Sequence, residues 1–192
     1  VEGDTYVGRR FDRVEERFDL AKHPNEANRF YWVVEIDPTD PESKPTKRTM
    51  LGRFKHEGAT TAITSDGRVA VYMGDDERFE YIYKFVSAKQ YVKGSRKHNM
   101  SLLDTGTLYV GRLTGNSPEE EIDGTGTLPS DGEFDGRGEW VPLASNTESF
   151  VDGFTLEEVL IHARSAADAV GATKMDRPED FEPSPVTGKV YC

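Results

Sequence analysis

Cysteine is nearly absent: Cys192 is the only one in 192 residues, so no disulfide can close within the chain and the redox compartment is left open. No apolar run approaches the length of a membrane-spanning helix. The opening Val1-Glu2-Gly3-Asp4 has neither an initiating Met nor the apolar segment of a secretory leader, and the chain is expected to be a piece of a longer protein. Basic stretches with interleaved aromatics are also missing. With 24 Lys+Arg against 35 Asp+Glu the formal charge is −11, a field that repels polyanions, so nucleic acid is not an expected partner. A phosphate ester would be repelled too unless the site supplies cations, as bound metal or as a placed arginine.

Common catalytic signatures are lacking as well. Gly124-Thr-Gly126 is not followed by the rest of a dinucleotide fingerprint, and neither a phosphate-binding Gly-Lys-Ser/Thr loop nor a Gly-x-Ser-x-Gly elbow occurs. His56-Glu57 is not a zinc-protease motif, because position 60 is Thr where a second His is needed. The four histidines, His23, His56, His98 and His162, have no ligand spacing.

Hydrophobic residues make up 35% of the chain, but ten Phe, eight Tyr and two Trp are too many aromatics for a disordered one. A single domain, residues 1–192, is expected. The charged segment 1–29 reads as an amphipathic turn or helix. Phe30 to Asp37 has strand composition, and Pro38, Pro41 and Pro45 then punctuate a loop. Short strands follow at Met50–Phe54, at Thr60–Thr64 and Arg68–Met73 around an Asp66-Gly67 hairpin turn, and at Glu80–Val86, Thr107–Leu113 and Trp140–Leu143. Residues 114–138 turn to Gly, Ser, Pro and acids and read as an insertion loop.

One helix is marked at about 155 to 170. Thr155 and Glu158 form a capping box, an apolar face runs from Leu156 to Val170, and Gly171 ends it. The fold class is therefore mainly β: an antiparallel meander of the sandwich or propeller kind, with one or two short helices.

Three acidic clusters fall near strand ends: His56-Glu57-Gly58, Gly74-Asp75-Asp76-Glu77 and Asp176-Arg177-Pro178-Glu179-Asp180. Hard cations such as calcium take six to eight oxygen ligands, roughly, so carboxylates drawn from separate turns are what such a site requires. The alternative for each is a solvated turn. For the last it is also an internal ion pair, with Pro178 holding Arg177 extended.

These clusters and their surroundings resemble the PhoX family of bacterial alkaline phosphatases. The matching stretches are Tyr31-Trp-Val-Val-Glu-Ile-Asp-Pro38, Leu51-Gly-Arg-Phe-Lys-His-Glu-Gly-Ala59, Val71-Tyr-Met-Gly-Asp-Asp-Glu-Arg78, Tyr81-Ile-Tyr-Lys-Phe-Val-Ser87, Gly106-Thr-Leu-Tyr-Val110 and Gly171-Ala-Thr-Lys-Met-Asp-Arg-Pro-Glu179. The resemblance implies part of a β-propeller whose centre holds iron and calcium and hydrolyses phosphate monoesters. It also implies export to the periplasm or beyond. By motif, Glu57, Asp76 and Glu179 match the family's metal-binding acids, and Arg177 matches its phosphate-contacting arginine. Asp75 and Asp176 would orient the ligands or cap turns.

The chain departs from the family in lacking the upstream segment with an iron-ligating cysteine and a downstream carboxylate, and Cys192 does not replace that cysteine. This piece would therefore supply some propeller blades and have little or no activity alone, with open strand edges available to the remaining blades or to a second copy. Two other readings stand beside it: a non-catalytic propeller or sandwich module holding structural calcium, and a purely structural piece.

Overall fold

The computed structural model describes residues 10–115, 117–121, 125 and 136–192. Two short strands come first, β1 (Val34–Glu35) and β2 (Thr46–Lys47), which pair antiparallel. The body of the fold is built from β3 (Thr60–Ile63), β4 (Arg68–Gly74), β5 (Arg78–Glu80), β6 (Ile82–Gln90), β7 (Gly106–Thr114) and β8 (Arg137–Ser145). All but β5 form one five-stranded antiparallel sheet in the order β3-β4-β6-β7-β8. This is a meander interrupted once, where β5 leaves to pair with β9 (Met175–Asp176). The strands β10 (Glu182–Pro183) and β11 (Val190–Tyr191) close the chain as a small hairpin. The mainly β, antiparallel reading holds.

The register places large apolar side chains in rows across the sheet. Val71 faces Phe85 and Phe85 faces Leu108, while Met73, Tyr83 and Val110 form the next row. All six are buried, together with Leu51, Phe54, Leu143, Val159 and Ala163. Each large apolar side chain so buried contributes roughly 1.5–3 kcal/mol relative to leaving it in water. The Asp66-Gly67 hairpin forms as its sequence suggests, with Gly67 at φ 83 and its N–H donating to the Thr64 carbonyl at 2.8 Å. The ladder between β7 and β8 continues out to Thr114 opposite Arg137. Most of the intervening stretch expected as an insertion, and Gly124 and Gly126 within it, lies outside the described residues.

Three segments differ from their sequence reading. Between Phe30 and Asp37 only Val34–Glu35 is strand, because Tyr31 turns the chain at φ 67 and Phe30 gives its carbonyl to the Arg53 side chain instead of a ladder. Met50–Phe54 is a helical turn over Thr49–Leu51, ended by Gly52 at φ 77. The helix starts at its capping box as expected, with Glu158 N–H to Thr155 Oγ1 at 3.2 Å and Thr155 N–H to Glu158 Oε2 at 2.8 Å.

That helix breaks at His162. It divides into α2 (Leu156–Ile161) and α3 (Ala163–Ala169), which follow the four-residue α1 (Arg96–Asn99) in the chain. Arg53 explains the break: its main-chain N–H takes the Leu160 carbonyl at 2.9 Å and its Nη1 donates to the Ile161 carbonyl at 3.3 Å. Those carbonyls would otherwise bond four residues ahead. Gly171, at φ 68, ends α3, and the Ala172 N–H returns to the Ala167 carbonyl at 3.1 Å. Within residues 10–29 the chain makes short helical turns, at Phe11–Arg13, Glu16–Phe18 and Glu26–Arg29. No helix among the described residues is long and apolar enough to cross a membrane.

Candidate active site

The three acid-bearing turns meet at one end of the sheet, where β4 runs out. His56 bridges to Asp75, the Asp76 N–H donates to the Lys55 carbonyl at 3.0 Å, and the Glu57 N–H donates to the Gly74 carbonyl at 3.4 Å. The third turn arrives through the pairing of β5 with β9. It then passes so close to Gly74 that a Cβ there would stand 2.3 Å from the Pro178 carbonyl oxygen and 2.5 Å from that of Glu179. Only glycine permits that approach. Gly74 thus sets the spacing between the second and third clusters.

Arg177 sits at the point of convergence. Its backbone is at φ 59, in the left-handed region and not extended as the following proline would suggest. A non-glycine residue there is uncommon, and such conformations gather at functional sites. Its Nη2 lies 2.8 and 3.0 Å from the two Asp76 carboxylate oxygens and 2.9 Å from Glu179 Oε1. The ion pair anticipated within the third cluster is present, and it extends to the second.

The acids are set against one another electrostatically. Arg177 is the main reason the Asp76 carboxyl is held below its ordinary range. Glu57 moves the opposite way: its carboxyl is pushed up first by the charge of Asp76, then by burial and by the charges of Glu179 and Asp180. Lys55 and Glu77 close the near side at 2.6 Å. His56 stacks on Phe54 with ring centres 3.8 Å apart, and its Nε2 donates to the Gly52 carbonyl at 3.0 Å, which leaves Nδ1 bare. Burial lowers its pKa to about 4, so the ring is neutral in ordinary buffers.

The acids suit a hard cation, since Glu57, Asp76 and Glu179 all offer carboxylate oxygens. Asp76 Oδ1 is buried and has no hydrogen bond, although Arg177 Nη2 is near it. Among the described residues, however, no three His, Cys, Asp or Glu side chains are placed to hold an ion by themselves. Glu57, Asp76 and Glu179 bring the carboxylate oxygens that such an ion takes, though not in a set that encloses one. Asp176 is exposed and takes part through main-chain pairing with Arg78.

Sequence reasoning gave Asp75 an orienting or turn-capping role but missed the partner behind it. Asp75 is fully buried and meets Arg164 of α3 side-on, Nε to Oδ2 at 2.7 Å and Nη2 to Oδ1 at 2.6 Å. It also accepts the Lys55 N–H at 3.3 Å. Asp75 thus ties the helix and the first cluster to the turn that carries Asp76. An arginine on the partly exposed side of a capped helix gave no signal of that role.

The family model for alkaline phosphatase PhoX matches residues 2–192, and the chain belongs to that family. Among solved structures, Pseudomonas fluorescens PhoX in complex with vanadate, a transition state analogue, is similar at 50% identity with a TM-score of 0.81. The match covers 95% of this chain and 30% of that one, so this chain spans about a third of the length of its structural relative. The antiparallel sheet is accordingly part of a β-propeller-like fold. Comparison with curated proteins gives no match.

Proposed function

We propose that these residues form part of a metal-dependent site that hydrolyses phosphate monoesters, with Glu57, Asp76 and Glu179 as ligands for calcium and iron and Arg177 as the contact to the phosphoryl group. The observation that carries this reading is that Asp76 and Glu179, from two separate turns, meet on one arginine in a left-handed conformation, with the turn of Glu57 hydrogen-bonded alongside. Like-charged acids brought together so that one of them resists ionisation are an arrangement that a polyvalent cation relieves. When bound, such cations polarise phosphoryl oxygens and make an acidic cleft attractive to an anion.

The chain's own part is to hold and to position. Gly74 and the pairing of β5 with β9 fix Glu179 and Arg177 against Asp76, and the Asp75–Arg164 pair fixes the turn from behind. Were Asp76 and Glu179 to hold the cations, the Arg177 guanidinium would be free to pair with two phosphate oxygens at once. The remaining ligands belong to the other propeller blades, and location in the periplasm follows from the same reading. This chain alone is expected to turn over substrate weakly or not at all.

Thermal melting with calcium, with ferric iron plus calcium and with chelator tests the proposal, repeated for Glu57→Ala and Glu179→Ala. Ligands that bind only the folded form raise its stability with occupancy. A rise removed by both substitutions, together with metal-dependent phosphate affinity, supports the site. A rise without phosphate affinity favours structural calcium instead, and no shift under any condition counts against these residues as ligands.

A further inference from the structure

Beside the carboxylates lies a second pocket of opposite character. It is lined by Tyr31, Arg53, Lys55, His162, Arg164 and Ser165, with Phe54, Ile161 and Ala163 completing its wall, and no acidic side chain lines it. Tyr31, Phe54 and Lys55 also line the cleft that contains Glu57 and Asp76, so the two hollows share part of their wall.

The cations here are unevenly compensated. Arg53 has no carboxylate partner among the described residues: its three side-chain nitrogens each donate to a carbonyl, of Phe30 at 3.1 Å, Ile161 at 3.3 Å and Ala27 at 2.8 Å. Arg164 spends Nε and Nη2 on Asp75, with Glu80 Oε1 a further 3.6 Å from Nε, and Nη1 makes no hydrogen bond among the described residues. Lys55 is half-exposed and held only by Glu77. Burial lowers the Arg53 pKa, Tyr31 opposes that shift and the like charge of Arg164 adds to it, whereas Glu77 raises the Lys55 pKa against smaller opposing effects of burial and Arg164. Like charges directed at one hollow are costly unless an anion joins them.

Tyr31 supplies an independent sign. It stands at φ 67, a conformation that is an outlier for a bulky residue, and its ring lies 5.8 Å below the Arg53 guanidinium at the lip shared by both hollows. Strain of this kind persists where the surroundings enforce it, and it clusters at ligand clamps.

We propose that the Tyr31–Arg53–Lys55–Arg164 pocket binds a small oxyanion, a phosphate or carboxylate group, next to the carboxylate cluster. The anion is either free phosphate or the distal acidic group of an ester seated at Arg177. The second source rests on the phosphatase reading, whereas the pocket itself does not, because its charges belong to the chain and need no metal.

The test is titration of the chain with inorganic phosphate in the presence of chelator, followed by amide NMR shifts. Saturable shifts are expected at Ala163, Arg164 and Ser165. They should weaken about tenfold in Lys55→Gln, an exposed position that keeps the fold, and more in Arg53→Gln. Arg177→Gln should leave them unchanged. Shifts centred on residues 176–179 and abolished by Arg177→Gln, or no saturable shift, would overturn the proposal. In the metal-loaded chain, tighter binding of 3-phosphoglycerate than of glycerol 3-phosphate assigns the pocket to the distal group of an ester, and equal binding assigns it to free phosphate. Because the first titration is done in chelator, failure of the metal reading leaves its outcome decisive.

Discussion

Asp75 and Arg164, 89 residues apart in sequence, meet in a two-point ion pair of 2.6 and 2.7 Å behind the acidic cluster. The carboxylate is fully buried, while the guanidinium keeps about a third of its surface in water. Removing one partner of a buried pair strands the other. Arg164→Gln is therefore expected to destabilise the chain by about 2–3 kcal/mol, below the full cost of an enclosed pair because of that exposure. Asp75→Asn combined with Arg164→Gln should recover part of the loss. Urea unfolding midpoints for the two single variants and the double variant give the coupling directly.

Gly74→Ala places a Cβ against the carbonyl oxygens of Pro178 and Glu179. Those are main-chain atoms and cannot swing aside, so the turn that carries Arg177 must move. A loss of about 1–3 kcal/mol is expected, as for other overpacked positions. The contacts of Arg177 with Asp76 should disappear from guanidinium NMR spectra. An unchanged Arg177 environment would show that the close approach does not set its position.

Glu57→Gln should separate cation binding from folding. Its carboxyl is opposed mainly by Asp76, with Glu179 and Asp180 adding to the repulsion. In chelator the substitution is expected to leave the melting temperature unchanged or raise it. With calcium or iron present it should reduce the stabilisation that the cation gives. Melting curves under the two conditions check both signs, and a drop in chelator would mean that Glu57 serves the fold.

Acid sensitivity has a source far from the site. Asp37 is lowered to about 2 from the model-compound value of 3.8, first by Arg96 and then by the Thr39 N–H and hydroxyl, each at 2.9 Å. Its folded pKa lies below its unfolded one, so the unfolded chain holds more protons between those values and stability rises with pH there. The contribution is complete above about pH 4 and is lost as pH falls toward 2. Asp37→Asn should melt lower than the unchanged chain at neutral pH, and the two should converge near pH 2. Parallel curves from neutral pH down to pH 2 would contradict this.

Features fixed by local chemistry were legible in the residues. Asp66-Gly67 made its hairpin, Thr155 and Glu158 made their capping box, and the runs from Arg68 to Met73 and from Thr107 to Leu113 became strands of the sheet. Each depends on neighbours within a few positions, where spacing and side-chain type decide the backbone. The three acidic clusters were likewise visible as strand-end turns.

Their meeting, and the shape of the segments around them, was decided by contacts over long sequence separation. Arg53 shows why. It draws the carbonyls of Ala27 and Phe30 on one side and of Leu160 and Ile161 on the other, which prevents a strand at Phe30 and interrupts a helix at His162. Neither effect has a signal at the affected position, because the main chain and guanidinium of an arginine recruited from elsewhere took hydrogen-bond acceptors that local structure would have used. The residue types of the site belonged to the sequence. Their distances, the left-handed turn at Arg177 and the cationic pocket beside it came only with the packed chain, because only tertiary structure brings separated main-chain and charged groups within reach of one another.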